Sequence, residues 1–471
     1  MRARPGRRSG RRSGRTDGTR DGKPVHDETS TPAAARADRL TVTAITVTPV
    51  AVKDPPLLNA SGCHQPYALR SIIELHTDAG ITGLSEAYGD DPTLDLLGRA
   101  ARALTGLDVF DINGLTRRAA ASLGSFTASN PTELIGPTGA DKTVAQIVAA
   151  FEVACFDVQG KATGRRVADL LGGAVRERVD YSGYLFYKWA EHPAGGGCDF
   201  EPDGWGAALD PEGIVAQARR MVDEFGFGSL KLKGGVFPPE QEVEAIRALR
   251  RAFPDHPLRI DPNANWSVAT SLSVAEQLEG ELEYLEDPTP GIAGMAEVAA
   301  GTALPLATNM CVTSFADIPE AVRRGAVGVV LSDHHFWGGL RASQRLAGLC
   351  ETFGLGLSMH SNTHLGISLA AMTQLAAATP NLTYALDTHS PWQRGFGGGP
   401  HEAQDVVRPG ALRFEGGSLR VPDGPGLGVE LDRDALARLH EQYLTCGIRR
   451  RDDLTHMRLM HPGWSGHRPR F

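Results

Sequence analysis

Several short apolar runs in the second half of the chain end in side chains able to do chemistry. Ser229–Lys233 ends in Lys231-Leu-Lys233, Pro257–Asp261 in Asp261-Pro-Asn263, and Glu283–Glu286 in Glu286-Asp-Pro. Leu304–Asn309, Val327–Asp333 and Gly354–His360 end in an amide, a carboxylate and an imidazole. The intervals separating Asp261, Glu286, Asn309, Asp333 and His360 are each roughly 25 residues, one strand–helix unit, so these groups would ring one mouth. A lone acidic residue at a strand end is usually the cap of the next helix. Three hard oxygen donors at successive strand ends are a different matter. Asp261, Glu286 and Asn309 supply what Mg²⁺ takes while leaving positions for substrate and water. The absence of Cys and His from that trio argues against zinc.

Lys231 and Lys233 are two apart on a strand and so share a face, inward in a barrel that has no edges. Two ammoniums beside each other and a metal are expected to lower one pKa, making a neutral amine base plausible near pH 7. His360 and His364 have the H-x-x-x-H spacing of some zinc sites, but His360 sits at a strand end rather than on a helix. Asp333, one unit earlier, could hold a ring nitrogen and make His360 a positioned acid/base, against the plainer reading of a core histidine. His334 and His335 are expected only to line the loop. A carbon next to a carboxylate is a very weak acid, and its ionisation puts two negative charges on one carboxyl group. A divalent metal with an ammonium can stabilise that species while Lys or His takes the proton, the arrangement of enolase-type sites.

The elements that must position these groups are eight candidate strands separated by amphipathic helices. The six above are preceded by Val179–Phe186 and followed by Leu382–Asp387. Ile214, Ala218, Met221, Val222 and Phe225 fit one helical face, as do Val243, Ile246, Leu249 and Phe253. The fold class expected is α/β, a (β/α)₈ TIM-type barrel over residues 176–415. A doubly wound sheet of the dinucleotide type would need a G-x-G-x-x-G turn after its first strand, and there is none. Residues 39–175 read as an α+β capping domain: a β-branched run from Leu40, a second run from Arg70, the hairpin signal Asp78-Ala-Gly-Ile-Thr-Gly, then helices to Gly172. Lys188–Pro211 is too long for a bare connection and is expected to be a surface insertion. Residues 416–471 are expected to pack back on the capping domain.

Of 471 residues 41% are hydrophobic and 22% charged, as in globular proteins. No uninterrupted apolar run approaches the ~20 residues of a membrane helix. The formal charge of −8 conceals an asymmetry: residues 1–25 hold eight Arg and one Lys against two Asp. Residues 1–38 are therefore expected to be a disordered extension. It lacks the apolar stretch of a secretory signal, and the acidic body gives an Arg-rich nucleic-acid tail no support. Neither a nucleic acid nor a membrane is an expected partner. The six scattered cysteines read as the reduced thiols of a cytoplasmic protein.

At this point the chain, from about Leu40 to its end, resembles the enolase superfamily and within it the glucarate dehydratases. Asn59-Ala-Ser-Gly-Cys-His64 is similar to that family's capping loop, and Thr138 precedes Glu152 by the family's interval. Gly183-Tyr184-Leu-Phe, Lys231-Leu-Lys-Gly-Gly, Asp261-Pro-Asn263, Ala307-Thr-Asn309, Asp333-His-His-Phe-Trp337, His360-Ser-Asn362, Asp387-Thr-His389, Arg451-Asp-Asp and Pro462-Gly-Trp464 follow in the same order. The resemblance implies that Lys233 and His360 are two bases on opposite faces of the substrate carbon. It implies that Asp333 pairs with His360, that Lys231 stabilises the enediolate, and that Asp261, Glu286 and Asn309 bind Mg²⁺. Asn59, His64, Thr138, Tyr184, Asn263, Ser361, Asn362, His389 and Arg451 would position an acid sugar. The implied reaction is loss of water from D-glucarate, with His360 as the acid that protonates the leaving hydroxyl. Two opposed bases equally suit an epimerase, or a dehydratase of galactarate or L-idarate, and a non-catalytic homologue is the further alternative. One departure concerns Thr289-Pro-Gly-Ile-Ala-Gly, which is shorter than the family's loop and lacks its additional Glu. A homo-oligomer is the expected assembly.

Overall fold

The computed structural model describes residues 39–126, 140–393 and 404–471. The Arg-rich extension expected over residues 1–38 and Thr138 lie outside the described residues.

Three antiparallel strands, β1 (Val42–Lys53), β2 (Tyr67–Thr77) and β3 (Thr82–Tyr88), form the capping sheet in the order β1-β2-β3. The Asp78-Ala-Gly signal makes the β2–β3 turn, with Gly80 in the left-handed region that glycine adopts at no steric cost. Helices α1 (Asp91–Leu104), α2 (Ile112–Leu123) and α3 (Ala140–Thr163) follow. Leu96, Leu97, Ala100 and Leu104 recur at helical spacing and are the buried face of α1.

The barrel is built from β4 (Arg178–Phe186), β5 (Leu230–Lys233), β6 (Leu258–Asp261), β7 (Tyr284–Glu286), β8 (Leu306–Thr308), β9 (Val329–Ser332), β10 (Gly356–Met359) and β11 (Leu386–Thr388). Strands β4 to β10 pair in parallel and in sequence order, and β11 pairs with β4. The seam between β10 and β11 is closed by the Thr383 and Tyr384 amides, which both donate to the Leu357 carbonyl, and by Ser358 Oγ donating to the Ala385 carbonyl. All eight expected strands are present: β5 to β10 are shorter than expected by one to three residues, β4 begins one residue earlier, and β11 starts later and runs on to Thr388. The outer helices bury the faces their periodicity indicated, including Ile214, Ala218, Met221 and Phe225 on one and Val243, Ile246 and Leu249 on the next.

Two expectations about connecting segments meet the structure differently. Lys188–Pro211 is more than a surface loop. Lys188 is fully buried, 2.9 Å from Asp203, and donates to the carbonyls of Trp189 and Gly206. An ammonium can be buried there because a carboxylate and two carbonyls replace its water. The C-terminal segment does reach the capping sheet. On its helix Arg433–Thr445, His440 contacts the Pro49 carbonyl and Gln442 donates to the Ala51 carbonyl. Further on, Trp464 Nε1 donates to the Ser61 carbonyl of the capping loop.

Candidate active site

The register of the barrel sets the stage. Lys231 pairs with Tyr184 and Arg259, and Lys233 with Phe186 and Asp261, so both lysines point inward with those neighbours. One small, tightly closed cavity at the strand ends is lined by His64, Phe186, Lys233, Asn263, Asn309, His360, Ser361, Asn362 and His389. Eight of these nine were expected from the sequence; Phe186, a strand-end aromatic, carried no signal beyond its apolar run.

Immediately behind that lining lie the buried charges. Lys233 Nζ donates to Asp261 Oδ2 at 2.5 Å, and Asn263 donates to both oxygens of Asp261. Asn309 Nδ2 donates to Glu286 Oε1 at 2.8 Å. Lys231 Nζ forms ion pairs with Glu286 and, at 2.8 and 3.8 Å, with Asp387 and Asp261. The sequence expectation of a depressed lysine pKa fails at Lys231. Burial disfavours its charge, but Asp387, Glu286 and Asp261 outweigh burial and hold its pKa well above the ordinary value. The sequence reading had weighed the two ammoniums against each other and overlooked the carboxylates around them. Lys231 is thus a fixed positive charge.

Asp261 and Glu286 converge around the same ammonium groups, Asn309 reaches them through Glu286, and all three supply hard oxygens. That donor set fits Mg²⁺ and offers no soft or imidazole ligand. Asn263 Oδ1 is buried without a hydrogen-bond partner, a further polar atom left over at the same place. Asn263, Ala264 and Asp287 have φ of 51°, 59° and 36°. Non-glycine residues held in that region mark strained loops of the kind found at ligand sites. Asp287 fastens one of them by accepting from Thr308 Oγ1 and from the Asn309 and Met310 amides.

His360 Nδ1 lies 3.1 Å from Asp333 Oδ2, which leaves Nε2 as the nitrogen on offer to the cavity. Burial pushes the His360 pKa down, Asp333 opposes this, and Lys233 and Lys231 add to it, with the net direction downward. Asp333 also caps the short helix His334–Trp337, its Oδ1 accepting from the amide and from Nδ1 of His335. Asp333 is therefore at once the cap of that helix and the partner of His360 Nδ1. Burial opposes its ionisation, yet His335, His360 and His364 hold its pKa well below the carboxylate range. His335 does more than line the loop: its Nε2 meets Ser368 Oγ at 3.0 Å and Arg70 at 3.4 Å. Arg70 is in turn paired with Glu86 at 2.7 Å, both buried, so the capping sheet braces the histidine.

The remaining expected residues sit nearby but outside the cavity lining. Tyr184 donates its hydroxyl to Asp387 at 2.6 Å, beneath Lys231. Asn59 Nδ2 donates to Asp453 Oδ2, and Arg451 holds Asp453 with two hydrogen bonds. Arg451 instead lines a neighbouring cavity shared with Asn362, Arg70 and Tyr88. The residues that sequence reasoning missed are Asp387, Arg259, Arg70, Glu86 and Asp453. Arg259 fills the barrel below Lys231, donating to Glu283 and the Ala385 carbonyl. Of these only Asp387 and Asp453 had a signal, their places in the Asp387-Thr-His389 and Arg451-Asp-Asp motifs.

A capped parallel barrel with a lysine pair, a His–Asp pair and three oxygen-bearing side chains at the strand ends is the architecture of a metal-assisted enzyme of carbon acids. The chain belongs to the enolase superfamily: residues 213–435 match the enolase C-terminal domain-like family. Over 431 residues it is 54% identical to the probable glucarate dehydratase of Streptomyces coelicolor, covering 90% of this chain and 97% of that protein. An enolase structure from Thermobispora bispora, complexed with magnesium and formate, is 59% identical with a TM-score of 0.88, covering 92% of this chain and 100% of that one. Another from Pseudomonas fluorescens, with bound magnesium, potassium and tartrate, is 51% identical with a TM-score of 0.87 over 92% and 100% of the two chains.

Proposed function

We propose that this chain is a Mg²⁺-dependent acid-sugar dehydratase converting D-glucarate to 5-dehydro-4-deoxy-D-glucarate. The observation that carries the reading is the single cavity lined by both Lys233 and His360 and floored by Asp261, Glu286 and Lys231. The likeness to a probable glucarate dehydratase narrows the substrate, and tartrate, a small dicarboxylate, is bound in one of the related structures.

Asp261, Glu286 and Asn309 would hold Mg²⁺, which supplies positive charge against a substrate carboxylate. Lys231, kept protonated by its carboxylates, adds a fixed ammonium beside it. His360, neutral at pH 7 because its pKa is lowered, takes the proton from the carbon next to the carboxylate through Nε2. The resulting imidazolium is stabilised by Asp333 and returns that proton to the neighbouring hydroxyl as its C–O bond breaks. Water leaves, and the enol product tautomerises to the keto acid. Lys233, also on the cavity, serves the other face of the carbon, the face presented by an epimeric acid sugar. His64 Nδ1 faces the Asp54 carboxylate at 3.0 Å and so carries the ring hydrogen, and His64 Nε2, buried without a hydrogen-bond partner, is an acceptor for a substrate hydroxyl. Among the described residues no helix is long and apolar enough to cross a membrane, and the six cysteines are free thiols, which supports placing the enzyme in the cytoplasm.

The test is incubation of D-glucarate with enzyme and Mg²⁺ in D₂O, followed by NMR. A 4-deoxy keto acid carrying deuterium in its new methylene group supports the reading. Deuterium exchange with epimerisation and no loss of water would make the enzyme an epimerase, and unaltered substrate would overturn both.

A further inference from the structure

Away from the barrel mouth, three separate segments bring metal-ligating side chains together. The thiol of Cys63, on the capping loop, and one ring nitrogen each of His192, on the Lys188–Pro211 insertion, and His456, on the C-terminal segment, all lie within 4.8 Å of one another. Cys63 and His456 are buried and His192 is half-buried. We propose that Cys63, His192 and His456 form a second metal site, one for a borderline-soft divalent cation of the Zn²⁺ type, that ties the capping loop to the insertion and the tail.

The geometry is that of ligands gathered around a point. His192 Nδ1 and His456 Nε2 are 3.1 Å apart. Two nitrogens bound tetrahedrally to one zinc at about 2.0–2.1 Å would sit about 3.3 Å apart. His192 Nε2 is 2.8 Å from the Asp54 carbonyl, an acceptor only, so that nitrogen carries the ring hydrogen. The lone pair is thereby fixed on Nδ1, facing His456. A ligating histidine whose far nitrogen is held by a carbonyl is the usual orientation at metal centres. On binding, the Cys63 thiol gives up its proton to solvent as the sulfur–metal bond forms, and the His456 proton moves from Nε2 to Nδ1.

The surroundings are built tightly enough to hold such a site. A Cβ at Gly62 would stand 2.2 Å from the Asp453 carbonyl, and one at Gly196 would stand 2.4 Å from Cε1 of His456. The capping loop and the insertion therefore reach the tail only because both positions are glycine. A cavity of about 190 Å³, lined by His192 with Glu191 and Cys198, opens beside the cluster and gives a fourth, water ligand its path. The N₂S donor set separates this site from the all-oxygen trio in the barrel, which a sulfur-seeking probe would not mistake for it. His64 follows Cys63 directly and is fixed by Asp54 at 3.0 Å. A metal on Cys63 would thus set the capping loop that carries a cavity-lining histidine.

The experiment is titration of the full-length protein with Co²⁺ under excess Mg²⁺, read by absorption. About one equivalent should produce a sulfur-to-cobalt charge-transfer band in the near ultraviolet with tetrahedral visible bands, displaced by Zn²⁺. Cys63→Ser should abolish the charge-transfer band, and His456→Gln should weaken binding at least about tenfold while leaving circular dichroism unchanged. Should Cys63→Ser fail to fold, the wild-type titration with the His456→Gln variant decides alone. The absence of a sulfur charge-transfer band in wild-type protein, or its persistence in Cys63→Ser, would overturn the site.

Discussion

Replacing Asp333 by Asn removes one charge, adds no volume, and should nearly silence the enzyme. Asp333 Oδ1 accepts two N–H groups of His335, from the backbone and from Nδ1, while Oδ2 meets His360 Nδ1 at 3.1 Å, with His364 Nε2 farther off at 3.8 Å. An asparagine has one acceptor oxygen, which stays where two donors meet it. Its NH₂ then faces His360, and two donors cannot share that contact. His360 must move its hydrogen to Nε2, the nitrogen facing the cavity, and the lone pair that takes the substrate proton is gone. The same tautomer exchange in a Ser-His-Asp triad costs about 10⁴ in kcat. General acid–base catalysis as a whole is worth about 10²–10⁴. We expect kcat to fall about 10³–10⁴-fold, or about 4–5.5 kcal/mol at about 1.36 kcal/mol per decade, with KM changed by less than about threefold. The assay is keto-acid formation at saturating acid sugar and Mg²⁺. If Asp333→Asn retains a tenth of wild-type kcat while His360→Ala does not, the proposed orientation of His360 is wrong.

Further outcomes follow from other parts of the molecule. Asp203→Ala strands the fully buried Lys188 ammonium and should cost about 3–5 kcal/mol in denaturant unfolding. A Lys188→Met/Asp203→Leu pair should recover most of that, and a single-variant loss under 1 kcal/mol, roughly the value of an exposed pair, would contradict the role given to the ion pair. Glu152 accepts from the Leu340 and Arg341 amides, and burial raises its pKa from 4.5 to about 7. The native state then binds more protons than the unfolded one between those values, so this group's stabilisation is complete below pH 4.5 and is lost as pH rises through 7. Glu152→Gln should flatten the fall in stability over that window by up to about 1.36 kcal/mol per pH unit, and an unchanged pH profile would show that Glu152 ionises normally. Asn309→Ala removes one of the three proposed ligands and should raise the Mg²⁺ concentration for half-maximal activity by more than about tenfold; isothermal titration showing unchanged Mg²⁺ affinity would remove Asn309 from the set.

Much of this architecture could be read from residue order because barrel strands buried on both faces appear as short apolar runs. Val329–Ser332 and Leu306–Thr308 are such runs, each ending at a polar group that has no apolar reason to be there. The cavity lining was visible for the same reason: the ends of consecutive strands meet at one mouth whatever their separation in sequence. What remained hidden depends on partners chosen by tertiary packing. Nothing around Lys231 in the sequence announces that Asp387, contributed by the last strand, will stand 2.8 Å away. Nor does the sequence show that Asp453 gathers Asn59 and Arg451, or that Lys188 is sealed inside the insertion against Asp203. His335 looked incidental because its partners, Arg70 and Ser368, come from the capping sheet and a distant helix.

The most direct measurement is keto-acid formation from D-glucarate, with L-idarate and galactarate in parallel, under Mg²⁺ and under EDTA. We expect turnover of D-glucarate that disappears with EDTA, returns with added Mg²⁺, and is lost in both Lys231→Met and His360→Ala. Turnover that survives EDTA, or that persists in His360→Ala, would contradict metal-assisted proton abstraction by the residues assembled at this barrel mouth.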